Sequence, residues 1–280
     1  SAPAAVRWTV YVGIAVVFAI ACAMLSNWQF SRNEERSAQL ALVEANYDAP
    51  PVPLGDVLAP GGDLSASDEW TPVRLTGTYL ADQQLLVRNR PHGGTAAFEV
   101  LVPFRLDDGR VLVVDRGWVP PGREQADPDE VPAPPSGEVT VVARLRPPEP
   151  VPGSGRSADV GQVPTINLGL VGDQVSVPVE QGAYGVLASE DPAPSVAPSP
   201  LDSPSEDPGP HLSYAIQWIL FAVMGFSFIA YVIVSERRHR REDAAEAAAR
   251  AEAGTDVEDA DAGAASPAVR NHRRRRPPRD

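Results

Sequence analysis

Residues 212–235 read LSYAIQWILFAVMGFSFIAYVIVS, and residues 8–31 read WTVYVGIAVVFAIACAMLSNWQFS. Each stretch runs for 24 residues without a charged side chain, whereas about 20 apolar residues are enough for a helix to span the core of a bilayer. A chain of 280 residues would ordinarily hold one or two soluble domains. These two stretches instead predict a membrane protein with two transmembrane helices.

The orientation follows from the basic residues beside the second stretch, because four of the five residues 237–241 are Arg. Cytoplasmic loops carry an excess of basic residues near span ends, so this run places the C-terminus in the cytoplasm. Two spans then place the N-terminus there as well, and residues 33–210 outside. We interpret the first stretch as an uncleaved anchor rather than a signal peptide, since it exceeds the roughly 7–15 apolar residues of a signal core.

The predicted organisation therefore has five parts. These are a transmembrane helix at 8–31 that continues as a helix to about 46, an external β-rich domain at 47–189, a Pro-rich tether at 190–210, a second transmembrane helix at 211–235, and a largely disordered cytoplasmic tail at 236–280. In the first span, Ala15, Ala19 and Ala23 recur every four residues. This stripe either lets a second helix approach closely or faces lipid.

The external domain shows the period of two that is typical of strands. Turn-forming sequences separate its apolar runs, and Asp107-Asp108-Gly109 is the clearest hairpin signal. No intervening segment is helical over enough residues for a crossover, so the pattern predicts an antiparallel sheet or a small barrel. The runs lie at 73–78, 85–89, 97–106, 111–119 and 139–145, and a helical turn near Leu168 and further strand residues at 182–187 follow.

Composition excludes several functional classes. The net charge is −13, and residues 33–210 carry 27 acidic side chains against 11 Arg, which argues against nucleic acid as a partner. Cys22 is the single cysteine, so an intramolecular disulfide or a Cys-cluster metal site is excluded. No hydrolase, metalloprotease or phosphate-loop motif occurs, so we do not expect an enzyme. The cluster Arg273–Arg276 fits anionic lipid or a solvated tail better than nucleic acid.

One constellation lies at the outer membrane boundary. His211, Tyr214 and Trp218 are spaced i, i+3 and i+7, so a helix places them along one face. The first span ends at the same depth with three more aromatic or polar side chains, Trp28, Gln29 and Arg32. Aromatic belts are common at membrane interfaces, which is the structural interpretation of this layer. The alternative is a haem site, in which His211 is the axial ligand, the rings pack the macrocycle and an Arg pairs with the propionates.

The order of motifs resembles the Surf1 family of cytochrome c oxidase assembly proteins. Four segments carry the resemblance: LSNWQFSR at 25–32, the strand Val73–Gly77 with Tyr79, VLVVDRGWVP at 111–120, and HLSYAIQW at 211–218. Two positions depart from the family pattern as it is usually written. Ser26 stands where Gly is usual and Asp115 where Asn is common, and neither change removes a candidate ligand.

The resemblance implies a bacterial plasma-membrane protein that aids assembly of an aa3-type cytochrome c oxidase. It would act as a chaperone that hands haem a to the catalytic subunit of the oxidase, or stabilises that subunit, within the lipid membrane. His211 would bind the haem iron and Tyr214 and Trp218 would pack the ring. The facing wall would be formed by Trp28, Gln29, Arg32, Arg116 and Trp118.

Three alternatives stay open from the sequence. Arg116 and Trp118 can be structural instead, with Trp118 as a core or barrel-corner residue and Arg116 as its ion-paired neighbour. The whole chain can be a stable accessory subunit of the mature oxidase or its supercomplex. It can also be an envelope sensor with an external ligand-binding domain, although a cytoplasmic part of about 40 residues is too short for a catalytic output domain.

Overall fold

A computed structural model describes residues 4–153 and 160–264 of the chain. They divide into two compact units. A helical unit combines residues up to Ser31 with those from Pro210 onward, and a second unit comprises Arg32–Gly209. The Arg273–Arg276 cluster lies outside the described residues.

Two long helices, α1 (Ala4–Asn46) and α3 (His211–Ala264), each contain a segment long and apolar enough to cross a membrane. The two predicted spans are therefore present, and α1 continues to Asn46 as expected. The helix α3 does not end at 235, however, so the tail expected to be largely disordered is helical as far as Ala264. Alanine has the highest helix propensity, and the ion pairs Arg240–Glu236 and Arg238–Glu242 at i, i+4 spacing add support.

The two spans pack antiparallel through small side chains. The Ser26 hydroxyl donates to the carbonyl of Ala215 (2.9 Å), and both residues are buried together with Cys22. Further along, the Phe18 ring lies over Gly225, where an added Cβ would approach ring carbons to 3.2 Å. Small residues allow this close approach. Of the Ala stripe, Ala15 and Ala19 are half-buried and Ala23 is exposed, so the contact face turns onto Cys22 and Ser26 instead.

The second unit is a closed β-barrel with additions at its edges. Its strands are β1 (Val52–Pro53), β2 (Pro72–Tyr79), β3 (Leu85–His92), β4 (Thr95–Leu106), β5 (Val111–Val119), β6 (Val139–Arg146), β7 (Gln162–Val163) and β8 (Tyr184–Asp191). The barrel runs β2-β6-β8-β5-β4 and closes where β4 pairs with β2, Phe104 opposite Tyr79. Most pairings are antiparallel as predicted, but β1–β2, β3–β7 and β5–β8 are parallel, so the sheet is mixed.

Alternation along the strands builds two cores. Inward residues such as Leu75, Phe104 and Val141 fill the barrel interior, where an apolar side chain gains roughly 1.5–3 kcal/mol from burial. Outward residues such as Val87 and Val113 form a second core with the short helix α2 (Leu168–Gly172). The helical turn predicted near Leu168 is thus confirmed, and it covers the barrel wall.

The Pro-rich segment is not a free tether. Strand β8 extends into it as far as Asp191, and further on Trp118 and Ser199 exchange two backbone hydrogen bonds (2.8 and 2.9 Å). The Arg36 guanidinium then donates to the carbonyls of Ser205 (2.6 Å) and Asp207 (2.8 and 3.0 Å). We call residues 198–207 the strap. Its extended backbone leaves its carbonyls free to accept these bonds, which bind it to the barrel unit.

Candidate functional site

In the helical unit, the first residue of α3 contacts α1 near the C-terminal end of its apolar stretch. Nδ1 of His211 lies 3.0 Å from Oε1 of Gln29. Because an amide oxygen only accepts hydrogen bonds, Nδ1 carries the proton in this contact. A neutral imidazole with this tautomer has the lone pair of Nε2 available, and the Gln29 contact fixes the orientation of the ring. This is the tautomer that a metal-ligating histidine uses when its other nitrogen is held by a neighbouring acceptor.

The other residues predicted for this layer are arranged less uniformly. Trp218, two turns beyond His211, is half-buried, but Tyr214 is 46% exposed and lies at the flank. Trp28 is 52% exposed, and Arg32 pairs with Glu35 of its own helix (2.8 Å). The structure therefore brings His211 and Gln29 into contact and leaves the aromatic residues around them partly open to the membrane interface.

Arg116 and Trp118 belong to the barrel unit and have partners within it. The Arg116 side chain is fully buried and donates to Glu190 (2.8 Å) and to the carbonyl of Pro132 (3.1 Å). The Trp118 ring stacks on His92, with 5.5 Å between ring centroids and 13° between planes. Arg116 is thus ion-paired, as the structural interpretation expects, and Trp118 packs on His92. A contact of either residue with haem stays a prediction.

Strand β5 needs a residue without a side chain at Gly117, close to where its pairing with β4 shifts register. The φ of Gly117 is +119°, a region that side-chain-bearing residues rarely adopt, and a Cβ there would overlap the carbonyl oxygen of Ser199. The segment Arg116–Trp118 is therefore the part of β5 with which the strap pairs.

A polar cluster on the barrel wall was missed by the sequence analysis. Arg90 bridges two carboxylates, with 2.6 Å from Nε to Glu99 and 2.7 Å from Nη2 to Glu149. The second oxygen of Glu99 lies 2.8 Å from Nε2 of His92. His92 is the last residue of strand β3, and its side chain is 16% exposed. Arg90 and Glu149 are 59 positions apart, and the contacts of Glu99 depend on the shifted register of β3 against β4, so no local motif shows this cluster.

Asp115 lies beside this cluster and is buried in the wall, 1% exposed. Among the described residues, one hydrogen bond reaches its carboxyl, from the backbone N–H of Gly117 to Oδ1 (3.1 Å). Burial and the neighbouring Glu99 carboxylate raise the pKa of Asp115 well above its usual range. A carboxyl within the apolar run VLVVD was the available sequence signal.

The two spans and the barrel between them can now be compared with known proteins. The model of the SURF1 family matches residues 16–223, which run from inside α1 to inside α3. The chain belongs to the SURF1 family. SURF1-like proteins of Mycobacterium tuberculosis and Mycobacterium bovis are each 38% identical to it over 242 residues, covering 84% of this chain and 87% of theirs. The cytochrome oxidase assembly protein SHY1 of Saccharomyces cerevisiae is 27% identical over 146 residues, covering 50% of this chain and 36% of the yeast protein.

Each SURF1-like segment of the sequence has a distinct place in the structure. The first, 25–32, closes the apolar part of α1, and 211–218 opens α3 with His211. The segments in the barrel unit form strands β2 and β5. The segments thus mark the C-terminal end of the first span, the N-terminal end of the second and the strand residues that pair with the strap.

Proposed function

We propose that this SURF1 protein is an assembly factor for an aa3-type cytochrome c oxidase in a bacterial plasma membrane. Membership in the family carries the proposal, together with the oxidase assembly role stated in the name of the yeast relative. Two membrane-crossing helices suit a partner that is itself embedded in lipid. The catalytic, haem-bearing subunit of the oxidase is the partner we propose.

The proposed site for haem a, which is cargo for the oxidase, is the group of side chains around His211 and Gln29. The fit rests on His211, whose Nε2 is left with a lone pair by the Gln29 contact. An imidazole supplies an axial ligand to haem iron. Tyr214 and Trp218 would offer ring faces, Trp28 would extend that apolar edge, and Arg32 would balance propionate charge.

We further propose that the protein acts as a chaperone and not as a catalyst, with both termini in the cytoplasm and the barrel outside. The Arg-rich residues 237–241 after the second span support this orientation. Residues 33–210, which contain the barrel, would then lie outside.

A spectroscopic comparison tests the haem ligand. The full-length protein is purified from cells that make haem a, and its visible spectrum is recorded for wild type and His211→Ala. His239→Ala is the matched control, because that imidazole is exposed on α3 at the opposite end of the span (73% exposed). We expect haem in the wild type and the control and its loss in His211→Ala. Equal haem in all three proteins would refute the ligand assignment.

A further inference from the structure

A cavity of about 210 Å³ lies in the barrel unit, between the part of α1 that follows residue 31, the barrel and the strap. Arg36 lines it from α1, and Pro204 lines it from the strap. Trp70 and Arg146 line it from the barrel. The volume corresponds to about seven water molecules, at roughly 30 Å³ each. The cavity is therefore large enough for a small organic molecule.

Arg146, the last residue of β6, has hydrogen-bond donors without acceptors. Its Nε lies 3.0 Å from Oε1 of Glu69, but the N–H is not aligned for a hydrogen bond and is buried without a partner. No described residue accepts a hydrogen bond from its two Nη groups either. The Trp70 ring covers one face of the guanidinium, 4.2 Å from its Cζ, so an acceptor has to approach in the guanidinium plane. Buried polar atoms are nearly always paired, which indicates a missing acceptor.

The charges around the cavity indicate the sign of its ligand. Arg36 forms no ion pair with a described residue, because its hydrogen bonds go to backbone carbonyls of the strap. Arg146 supplies a second guanidinium, and Glu69 supplies the carboxylate of the cavity wall. Two guanidinium groups and one carboxylate leave an excess of one positive charge, although residues 33–210 as a whole are strongly acidic. The cavity thus attracts a singly charged anion.

We propose that this cavity binds a short aliphatic carboxylate, with the guanidinium groups of Arg146 and Arg36 as its hydrogen-bond donors. A planar guanidinium matches the two oxygens of a carboxylate, and hydrogen bonds between charged groups are the strong ones. The aliphatic chain would lie against the apolar part of the wall, which is formed by Leu42, Val43 and Pro204. Inorganic phosphate matches less well, because it carries more than one negative charge at neutral pH and has no apolar part.

The test uses the full-length protein in detergent micelles, with sodium propionate replacing sodium chloride at constant ionic strength. A ligand that binds only the folded state raises Tm with its concentration, and the dependence gives the Kd. Propionamide is the control compound, because it has nearly the same shape without the charge. We expect a saturable rise in Tm with propionate and none with propionamide. An equal rise with inorganic phosphate would overturn the assignment to a carboxylate.

Three variants locate the site, each compared with itself in the absence of propionate. Arg146→Gln should weaken binding at least about tenfold, because the fork of charged donors is lost. Glu69→Gln should bind propionate about fivefold more tightly, because it removes a like charge from the cavity wall, and misfolding cannot produce this gain. Arg144→Gln is the matched control and should bind like wild type. Arg144 lies on the same strand with its guanidinium over the Tyr47 ring (3.6 Å), but it does not line the cavity.

The outcomes separate this site from the oxidase role, since none of the residues proposed to bind haem lines the cavity. Absence of a saturable rise in Tm with propionate, or an equal rise with propionamide, would overturn the proposal. Equal affinity in wild type and Arg146→Gln would overturn it as well, and so would an equal loss in Arg146→Gln and Arg144→Gln. Each of these results would leave the assembly role as it stands.

Discussion

Replacing Gly117 by Ala should release the strap from the barrel. The new Cβ would overlap the carbonyl of Ser199, so the two backbone hydrogen bonds between Trp118 and Ser199 cannot form as they do now. Each such bond contributes about 1 kcal/mol, which gives about 2 kcal/mol for the pair. The positive φ at this position adds a backbone strain of order 1–3 kcal/mol for any side-chain-bearing residue.

Gly109→Ala is the matched control for this effect. Gly109 sits in the β4–β5 hairpin turn with φ +88°, and nothing lies within 4 Å of a Cβ built there. It therefore carries the backbone strain without a steric overlap. The difference in the free energy of unfolding between the two variants, about 2 kcal/mol, therefore measures the pairing of the strap with Trp118. For a unit of this size it corresponds to a difference of about 4–8 °C in Tm.

Amide hydrogen exchange and thermal unfolding measure the outcome. In Gly117→Ala, the amides of Ser199 and Trp118 should lose protection while those of the barrel interior, such as Phe104, keep theirs. In Gly109→Ala, the two strap amides should stay protected. Equal protection of Ser199 in both variants, or equal Tm values, would refute the claim that Gly117 allows the strap to pair with β5.

Three further predictions follow from the described contacts. Asp115→Asn should stabilise the protein relative to wild type, and the difference in unfolding free energy should grow as pH rises above the unfolded pKa of about 3.9, by at most about 1.4 kcal/mol per pH unit. The reason is that the wild-type folded state holds a proton on Asp115 that the unfolded state has lost. Denaturant unfolding at several pH values measures this difference, and a difference that does not change with pH would contradict the prediction. Arg36→Gln should increase exchange in residues 203–207 of the strap, since three hydrogen bonds to its carbonyls are lost, while Arg105→Gln should leave them unchanged. Affinity purification should recover this SURF1 protein with haem-deficient oxidase, and stoichiometric recovery with the mature enzyme would favour the accessory-subunit alternative.

Much of the fold could be predicted because its signals are local. The strand predicted at 111–119 has the same bounds in the structure, and Asp107-Asp108-Gly109 forms the predicted turn, with a hydrogen bond from the Gly109 N–H to Leu106. Both spans are present for the same reason, since 24 uncharged residues admit few alternatives. The parallel pairings β3–β7 and β5–β8 were missed because they join short strands distant in sequence.

For the candidate sites too, contacts that follow from local spacing could be predicted, and contacts that depend on the pairing of distant segments could not. Helical spacing and span ends predicted that His211 and Gln29 share one layer, and they are in contact in the structure. The Arg90–Glu99–Glu149 cluster depends on the register of several strands, which periodicity does not give. The strap was predicted as an extended tether, but the residues that hold it, Arg36 and Trp118, come from other elements.

The measurement that tests the central claim most directly is the haem a content and activity of the oxidase in cells that lack this protein. Membranes of a deletion strain are compared with those of the same strain carrying the wild-type chain or the His211→Ala variant. The proposed function predicts a loss of the haem a absorbance and of oxidase activity on deletion, full recovery with the wild-type chain, and incomplete recovery with the variant. A full oxidase spectrum and full activity in the deletion strain, in the absence of any second SURF1 protein, would contradict it.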